Sequence, residues 1–198
     1  MALFTKTVQT ALLALQSVAA SSVAISTPFS MPTRLGGLIH CRFGRRAVTA
    51  AGAGVNIRLE SSRATSGDNT WFPFAIFTSA FAVCEGEAVS GTVAAAQAVV
   101  TVASTTNLVV GDIIFIDNGT IANSEWGRIR AISANVSVTL EDNLVNAQTG
   151  STLYDLAEIY YPVAVPEGAV RIRAVADGAS FTQAFAVEVA LITIDEII

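Results

Sequence analysis

The clearest pattern of hydrophobic and polar positions lies in residues 107–157. Within it, Val109–Ile116 is almost continuously apolar, while Arg128–Ile132 and Val136–Leu140 alternate between apolar and polar residues. Alternation places every second side chain on the same face of a strand, so these three runs predict β-strands. Asp117-Asn118-Gly119 follows the first run and predicts a turn, because Asn and Gly tolerate positive φ. The stretch therefore predicts a β-meander or small barrel of about 50 residues.

A second strand pattern flanks this stretch on both sides. Its predicted strands are Leu38–Phe43 and Val55–Glu60 before the stretch, and Glu158–Val165, Val170–Ala176 and Phe185–Ile194 after it. The pattern predicts an all-β protein: a discontinuous β-sandwich, jelly-roll or immunoglobulin-like, formed by residues 23–85 plus 158–198. Residues 86–157 are then a small β-module inserted in one of its loops, which the slow growth of closure entropy with loop length permits. The alternative is two consecutive β-domains.

The N-terminal segment, residues 1–22, has apolar residues at helical spacing through Leu12, Leu13, Leu15 and Val18. This spacing predicts a short helix or an arm that docks on a neighbouring subunit. A secretory signal is the alternative, with a possible cleavage site at Val18-Ala19-Ala20, but Gln9 and Gln16 interrupt its apolar centre.

Three stretches of the chain resemble structural proteins of tailed bacteriophages. The central stretch is similar to a small β-module of those proteins in the order of its segments, VVGDIIFID, EWGRIRAIS, VSVTLEDNL and TGSTLYD. The β-sandwich domains of phage virion proteins resemble RLESSRATSGDNTW at residues 58–71 and VRIRAVA at residues 170–176. The resemblance implies a virion structural protein.

The composition indicates a chain with much of its surface buried against other subunits. Only 14% of residues are charged and 52% are hydrophobic, whereas about 25% charged is usual for a soluble domain. No uncharged apolar run reaches the length of about 18 residues that a membrane helix needs, so no membrane partner is expected. The chain has ten arginines and one lysine, Lys6, and arginine is enriched at protein interfaces while lysine is depleted.

The charges are also segregated along the chain. Residues 1–63 contain seven basic residues and one acidic residue, and residues 64–198 contain four basic and fifteen acidic residues. A basic end and an acidic end favour head-to-tail contacts between copies. Nucleic-acid binding by the basic end is the rival hypothesis, but interleaved aromatics are missing and the pI is about 4.8, so no nucleic acid is expected.

The sequence contains no strong catalytic or metal-binding motif. His40 and Cys41 are adjacent on a predicted strand and therefore face opposite sides, which argues against a Cys-His nucleophile pair. Cys41 and Cys84 lie in separate predicted strands and form either a disulfide or two free thiols. No cysteine and histidine spacing fits zinc, and carboxylates in turns, such as Glu141-Asp142, are usually just solvated. We therefore expect no enzyme activity, cofactor or metal.

Arginines are the candidate interface residues. Arg42, Arg45 and Arg46 cluster in the basic segment, and two pairs each share one face of a strand, namely Arg128 with Arg130 and Arg171 with Arg173. The functional hypothesis is salt bridging between subunits. The alternative is ordinary solvent-facing charge with carboxylate partners on the neighbouring strand of the same chain.

Together these features favour a non-enzymatic virion protein, assembled in the host cytoplasm. The specific expectation is a capsid decoration or cement protein that acts as a small homo-oligomer, with a trimer as the expected form. Its partners would be its own copies and the major capsid protein or another virion protein. The alternatives are a tail, baseplate or head–tail connector component, and a carbohydrate-binding or host-adhesion module that uses aromatic residues: Trp71, Trp126, Tyr160 and Tyr161.

Overall fold

A computed structural model of the chain describes residues 4–6, 10–31, 36–46, 56–68, 70–78, 86–155, 157–178 and 184–197. The described chain is all-β, as the alternating patterns predict, and its strands pair antiparallel in every sheet. Its single helical element within these ranges is a 3-10 turn at Ile121–Asn123.

The strands fall into two groups by their position in the chain. The first group comprises β1 Phe4–Lys6, β2 Thr10–Val18, β3 Val23–Ile25, β4 Phe29–Ser30, β5 Gly36–Arg45, β6 Asn56–Ser62, β7 Phe72–Thr78, β16 Glu158–Ala164, β17 Arg171–Asp177 and β18 Phe185–Ile197. The second group comprises β8 Gly86–Ala88, β9 Thr92–Val93, β10 Val99–Thr101, β11 Ile113–Asp117, β12 Glu125–Ser133, β13 Ser137–Leu140, β14 Gln148–Thr149 and β15 Thr152–Tyr154.

The first group forms two sheets, which we call the two-sheet body. In the first sheet the order is β1 and β2, then β18, β5 and β16, and β18 pairs with β5 over ten residues from Phe185↔Arg45 to Ile194↔Gly36. In the second sheet the order is β3 and β4, then β17, β6 and β7. Each sheet therefore combines strands from before and after residues 86–155.

A single hydrophobic core lies between these two sheets. The first sheet contributes Phe43 and Phe185, and the second contributes Ile57, Leu59 and Ile172, all fully buried. Alternation explains the arrangement, because in β6 the residues between Ile57 and Leu59 point away from the core. Each such side chain contributes about 1.5–3 kcal/mol through the apolar surface that it removes from water.

Residues 86–155, here called the insert, have a sheet and a core of their own. The described strands of the insert pair only with one another, in the order β10-β13-β12-β11-β15-β8, beside the two-stranded sheet β14-β9. Strands β11, β12 and β13 form a meander, and Ile114, Ile116 and Leu153 are fully buried in the core. The two ends of the insert lie side by side, because Gly86 on β8 pairs with Tyr154 on β15. The chain thus enters and leaves the insert on adjacent strands.

The helix predicted for the N-terminal segment is wrong for Thr10–Val18, which forms strand β2 and pairs with β18. Irregular register between β2 and β18 allows the consecutive residues Leu12 and Leu13 both to be buried. The helical spacing is a local signal, and it is overridden by hydrogen bonding to a strand at the far end of the chain. A predicted arm contact on a neighbour is here a contact within the chain.

Candidate interaction surface

The outer side of the second sheet is the candidate interaction surface, and we call it the open face. Residues of β17 and β6 alternate between the core and this face, so Arg173 and Glu60, which are cross-strand partners, both point outward. One row runs across β3, β17, β6 and β7, from Ile25 through Val175 and Arg58 to Ile76, and Val175 is buried within this row.

A charged network occupies the centre of the open face. Arg58 and Arg173 each donate from Nε to Glu60, one to each carboxylate oxygen, at 2.6 Å. The Glu60 side chain is only 7% exposed. Burial raises its pKa, but the hydrogen bonds and charges of Arg173 and Arg58 outweigh burial, so the pKa is lowered overall. Glu60 is therefore ionised at neutral pH and holds two guanidinium groups in place.

Trp71 lies beside the network, under two arginines. The guanidinium of Arg171 lies 4.7 Å from the Trp71 ring centroid and that of Arg173 lies 4.4 Å from it, which is cation–π distance. Arg171 also donates to the carbonyl oxygens of Ala64 at 2.8 Å and Gly67 at 2.9 Å. Arg171 thus connects β17 to the loop that joins β6 and β7, and fixes the edge of the open face.

Apolar side chains lie exposed at both edges of the open face. Val23 and Ile25 on β3 are 51% and 58% exposed, and Ile76 on β7 is 60% exposed. Phe72, at the start of β7, is 67% exposed, but it pairs with Ser61 and therefore lies on the core side at the end of this sheet. A groove of about 420 Å³ adjoins this end of β7 and is lined by Ser61, Arg63, Phe72, Phe74, Pro166, Glu167 and Ala169. Exposed apolar residues around arginines are typical of protein contact surfaces.

The outer side of the first sheet, in contrast, is covered by the insert. Phe115 of the insert lies so close to Gly44 of β5 that a Cβ added at Gly44 would come within 2.5 Å of the ring. Trp126 donates from Nε1 to the carbonyl oxygen of Phe43 at 3.2 Å. Arg46 forms a two-point ion pair with Asp117, with both N–O distances at 2.9 Å. Glycine at position 44 and these polar bonds hold the insert against the body.

The predicted interface arginines mostly have partners within the chain. Arg46 binds Asp117, Arg42 lies 3.6 Å from Glu188 and over the Trp126 ring, and Arg128 lies 3.8 Å from Glu141. Arg171 and Arg173 belong to the open face, as described above. Arg45 is fully buried, which its position in the basic segment does not indicate, and Arg130 is exposed. An intersubunit role for these arginines stays a prediction.

His40 and Cys41 lie on opposite sides of β5. Cys41 is a free thiol in the main core, and burial raises its pKa to about 12, so it is a poor nucleophile. The pKa of His40 is lowered by burial and by the charge of Arg42, against the opposing charge of Glu188, which leaves it neutral at pH 7. Cys84 lies outside the described residues, and the free thiol of Cys41 favours the alternative of two free thiols over the disulfide.

Carboxylates of the insert hold loops in place. Asp112 accepts a hydrogen bond from the amide of Val109 at 2.8 Å, and Glu125 accepts bonds from the amides of Val145 and Asn146. Within the described part of the chain, no three histidine, cysteine or acidic residues are grouped as a metal site. The same part contains no helix long and apolar enough to span a membrane.

Of the aromatic candidates for glycan binding, the two tryptophans are engaged in contacts with other side chains of the chain. Arginines lie over the rings of Trp71 and Trp126, and Phe115 contacts Trp126 with ring centroids 5.0 Å apart. The side chains of Tyr160 and Tyr161 lie outside the described part.

Sequence reasoning missed Glu60 as the centre of the open face. The signal is present, because Arg58 and Glu60 alternate on one predicted strand as Arg171 and Arg173 do on another. Pairing these two strands in register would have brought the four charges together. No protein-family model matches the chain, and no curated protein matches it either.

Proposed function

We propose that this chain is a non-enzymatic structural component of a bacteriophage particle: a capsid decoration protein that stabilises the shell by bridging neighbouring capsomers. It acts as a small homo-oligomer, a trimer in the simplest case, together with the major capsid protein or another virion protein. The two-sheet body is then a jelly-roll or immunoglobulin-like sandwich, and the insert is a barrel-like module carried on it. The core shared by the two sheets and the resemblance of the central stretch support this part of the proposal.

The open face is the observation that carries the proposal. An antiparallel sheet with one side on a core normally has polar residues on its other side. Here that side exposes Val23, Ile25 and Ile76 around an arginine network whose charges are already neutralised in part by Glu60. Covering such a surface with another protein lowers the free energy, because its apolar area leaves water and few charges lose hydration.

The mechanism is mechanical. Association costs about 4–15 kcal/mol in lost translational and rotational freedom before any net gain appears. A decoration protein that contacts two capsomers and its own copies spreads this cost over several contacts. The rigid attachment of the insert, through Gly44 and the Arg46–Asp117 pair, lets a load on one surface reach another without unfolding.

A tail, baseplate or head–tail connector role is the second candidate, since the open face supports any role in an assembled particle. The copy number separates the two candidates. A carbohydrate-binding role has weaker support, because the described tryptophans are covered by arginines.

The first experiment counts copies of this chain in purified particles, by quantitative mass spectrometry against the major shell protein. A copy number in the hundreds supports shell decoration and removes the connector alternative. A few to a few dozen copies indicate a tail or a vertex. Absence from particles contradicts the virion assignment and returns attention to glycan binding.

A second experiment tests the open face directly. Purified protein is added back to particles that lack it, and the heat stability of the particles is measured. We expect the wild type to raise the temperature of shell disruption and Ile76→Arg to lose this effect. Val136→Arg is the matched control, because Val136 is 57% exposed but lies on the insert, just before the start of β13.

A further inference from the structure

We infer that the partner of the open face is the insert of a second copy of this chain, bound through the acidic turn at Glu141-Asp142. This inference deepens the proposed function and rests on its premise that the open face is covered in the assembled protein. It predicts a head-to-tail contact in which each copy offers one surface of each kind.

Charge distribution in the folded chain supports this partner. The insert contains seven acidic residues and two arginines, so it carries the whole net charge of −5, and the rest of the chain is neutral. Several of these carboxylates are used within the insert or at its junction, including Asp117 and Glu125. Glu141 lies 3.8 Å from Arg128 but is still 52% exposed, and Asp142 is also exposed, which leaves this turn as an accessible acidic site.

The open face has the opposite charge. Three arginines point onto it or line its edge, against Glu60 and Asp177 as the outward carboxylates of the same two strands. Arg58 is the most accessible of the network, with 38% of its side chain exposed. Two open faces placed against each other would bring like charges together, whereas an acidic turn placed there gains from the excess positive charge.

The two complementary surfaces cannot meet within one chain. Glu141 and Asp142 line a cleft with Arg42, Arg128 and Trp126, on the outer side of the first sheet. Arg58 and Ile76 lie on the outer side of the second sheet, beyond the shared core. Two stacked sheets are about 10 Å apart, so the thickness of the body separates the surfaces. The complementarity can be used only between copies.

The size of the open face indicates how the contact is used. Four strands at about 4.8 Å spacing and about 20 Å of strand length give a footprint of about 400 Å². A stable pairwise contact usually buries about 800 Å² on each partner. A single head-to-tail contact is therefore weak, and closing a ring, which adds one contact without another loss of freedom, makes the oligomer stable.

The inference is tested by sedimentation velocity of the purified chain over a concentration series. Three variants, each with one substitution, are compared with the wild type. Arg58→Glu and Asp142→Arg are each expected to weaken association by about tenfold or more, because a like-charge contact replaces an attractive one. Ile76→Glu is expected to weaken association as well, because it places a negative charge opposite the acidic turn, and it leaves Glu60 with both of its arginines. Glu87→Arg is the matched control on β8, at the far end of the insert sheet from β13.

The decisive step is to combine Arg58→Glu and Asp142→Arg in one chain. In this double variant the charges of both surfaces are exchanged, so every head-to-tail contact again joins opposite charges and association returns to near the wild-type level. Thermal unfolding of each variant alone shows whether it is folded. A monomeric wild type at all concentrations, or a folded double variant that stays as dissociated as the single variants, overturns the inference. Neither result bears on the copy number in particles, so the proposed function is tested separately.

Discussion

Glu60 shows how one side chain organises the open face. A buried carboxylate without partners would be strongly unfavourable, and this one accepts hydrogen bonds from two arginines that belong to different strands. Those arginines in turn contact the rest of the face: Arg173 lies over Trp71, and Arg58 stands in the row that ends at Ile76. The geometry of the surface therefore depends on the ionised state of a single residue.

Glu60→Gln should lower the free energy of unfolding by about 2 kcal/mol at pH 7, since charge-assisted hydrogen bonds are lost. The lowered pKa of Glu60 gives the pH dependence. Its contribution is fully present above the ordinary value of 4.5 and is lost as the pH falls through the lowered pKa. Denaturant unfolding from pH 7 down to about pH 3 should show the difference between wild type and variant shrinking below pH 4.5.

Glu141→Gln is the control for this series, because its ion pair with Arg128 is long and exposed and should contribute little. An equal loss of stability in both variants, or a Glu60→Gln deficit that does not change with pH, would contradict the role given to the Glu60 charge.

At the scale of elements, the junction between the insert and β5 combines shape with charge. Gly44 leaves room for Phe115, and Arg46, two residues later and on the same side of β5, reaches Asp117. Asp117 also accepts bonds from the amide of Gly119 and the hydroxyl of Ser124. The turn after β11 is thereby shaped by the same carboxylate that holds the insert to the body.

Arg46→Ala should therefore cost about 3 kcal/mol, because it leaves a largely buried Asp117 without its cation. Arg128→Ala, which removes an exposed arginine with a 3.8 Å ion pair, should cost about 0.5 kcal/mol or less. Chemical denaturation measures both, and hydrogen exchange at β11 should accelerate only in Arg46→Ala. Similar costs for the two variants would mean that the pair does not hold the insert.

The elements also show what the sequence can and cannot predict. Strands such as Leu38–Phe43 and Val55–Glu60 follow from alternation, which is local, and the structure places β5 and β6 there. The predicted strand at Val109–Ile116 is shorter, because Asp112 and Gly111, with φ at +100°, form a turn over its first half. The partner of Arg46 lies 71 positions away, and no local pattern encodes such a pairing.

At the scale of the whole molecule, the chain is built in layers. The insert covers one side of the first sheet, the shared core fills the other, and the second sheet ends in the open face. Composition predicts buried surface between subunits, but it cannot say which surface, because that depends on which sheet side the insert covers. The charge asymmetry along the chain is likewise rearranged by folding, into an acidic insert on a neutral body.

Residues 86–155 expressed alone should fold. Their core is separate from that of the body, and the strands at their two ends are paired through Gly86 and Tyr154, so no long-range contact with the body is needed to close the structure. A unit of this size should have a stability of about 3–5 kcal/mol.

Denaturant unfolding, followed by circular dichroism and by the fluorescence of Trp126, should show one coincident transition. In the isolated insert Trp126 loses its bond to Phe43 and its cover by Arg42, so its emission should shift to the red relative to the full chain. A disordered isolated insert would instead mean that Gly44 and Arg46 supply part of its folding free energy, and Phe115→Ser distinguishes that result from aggregation through the uncovered face.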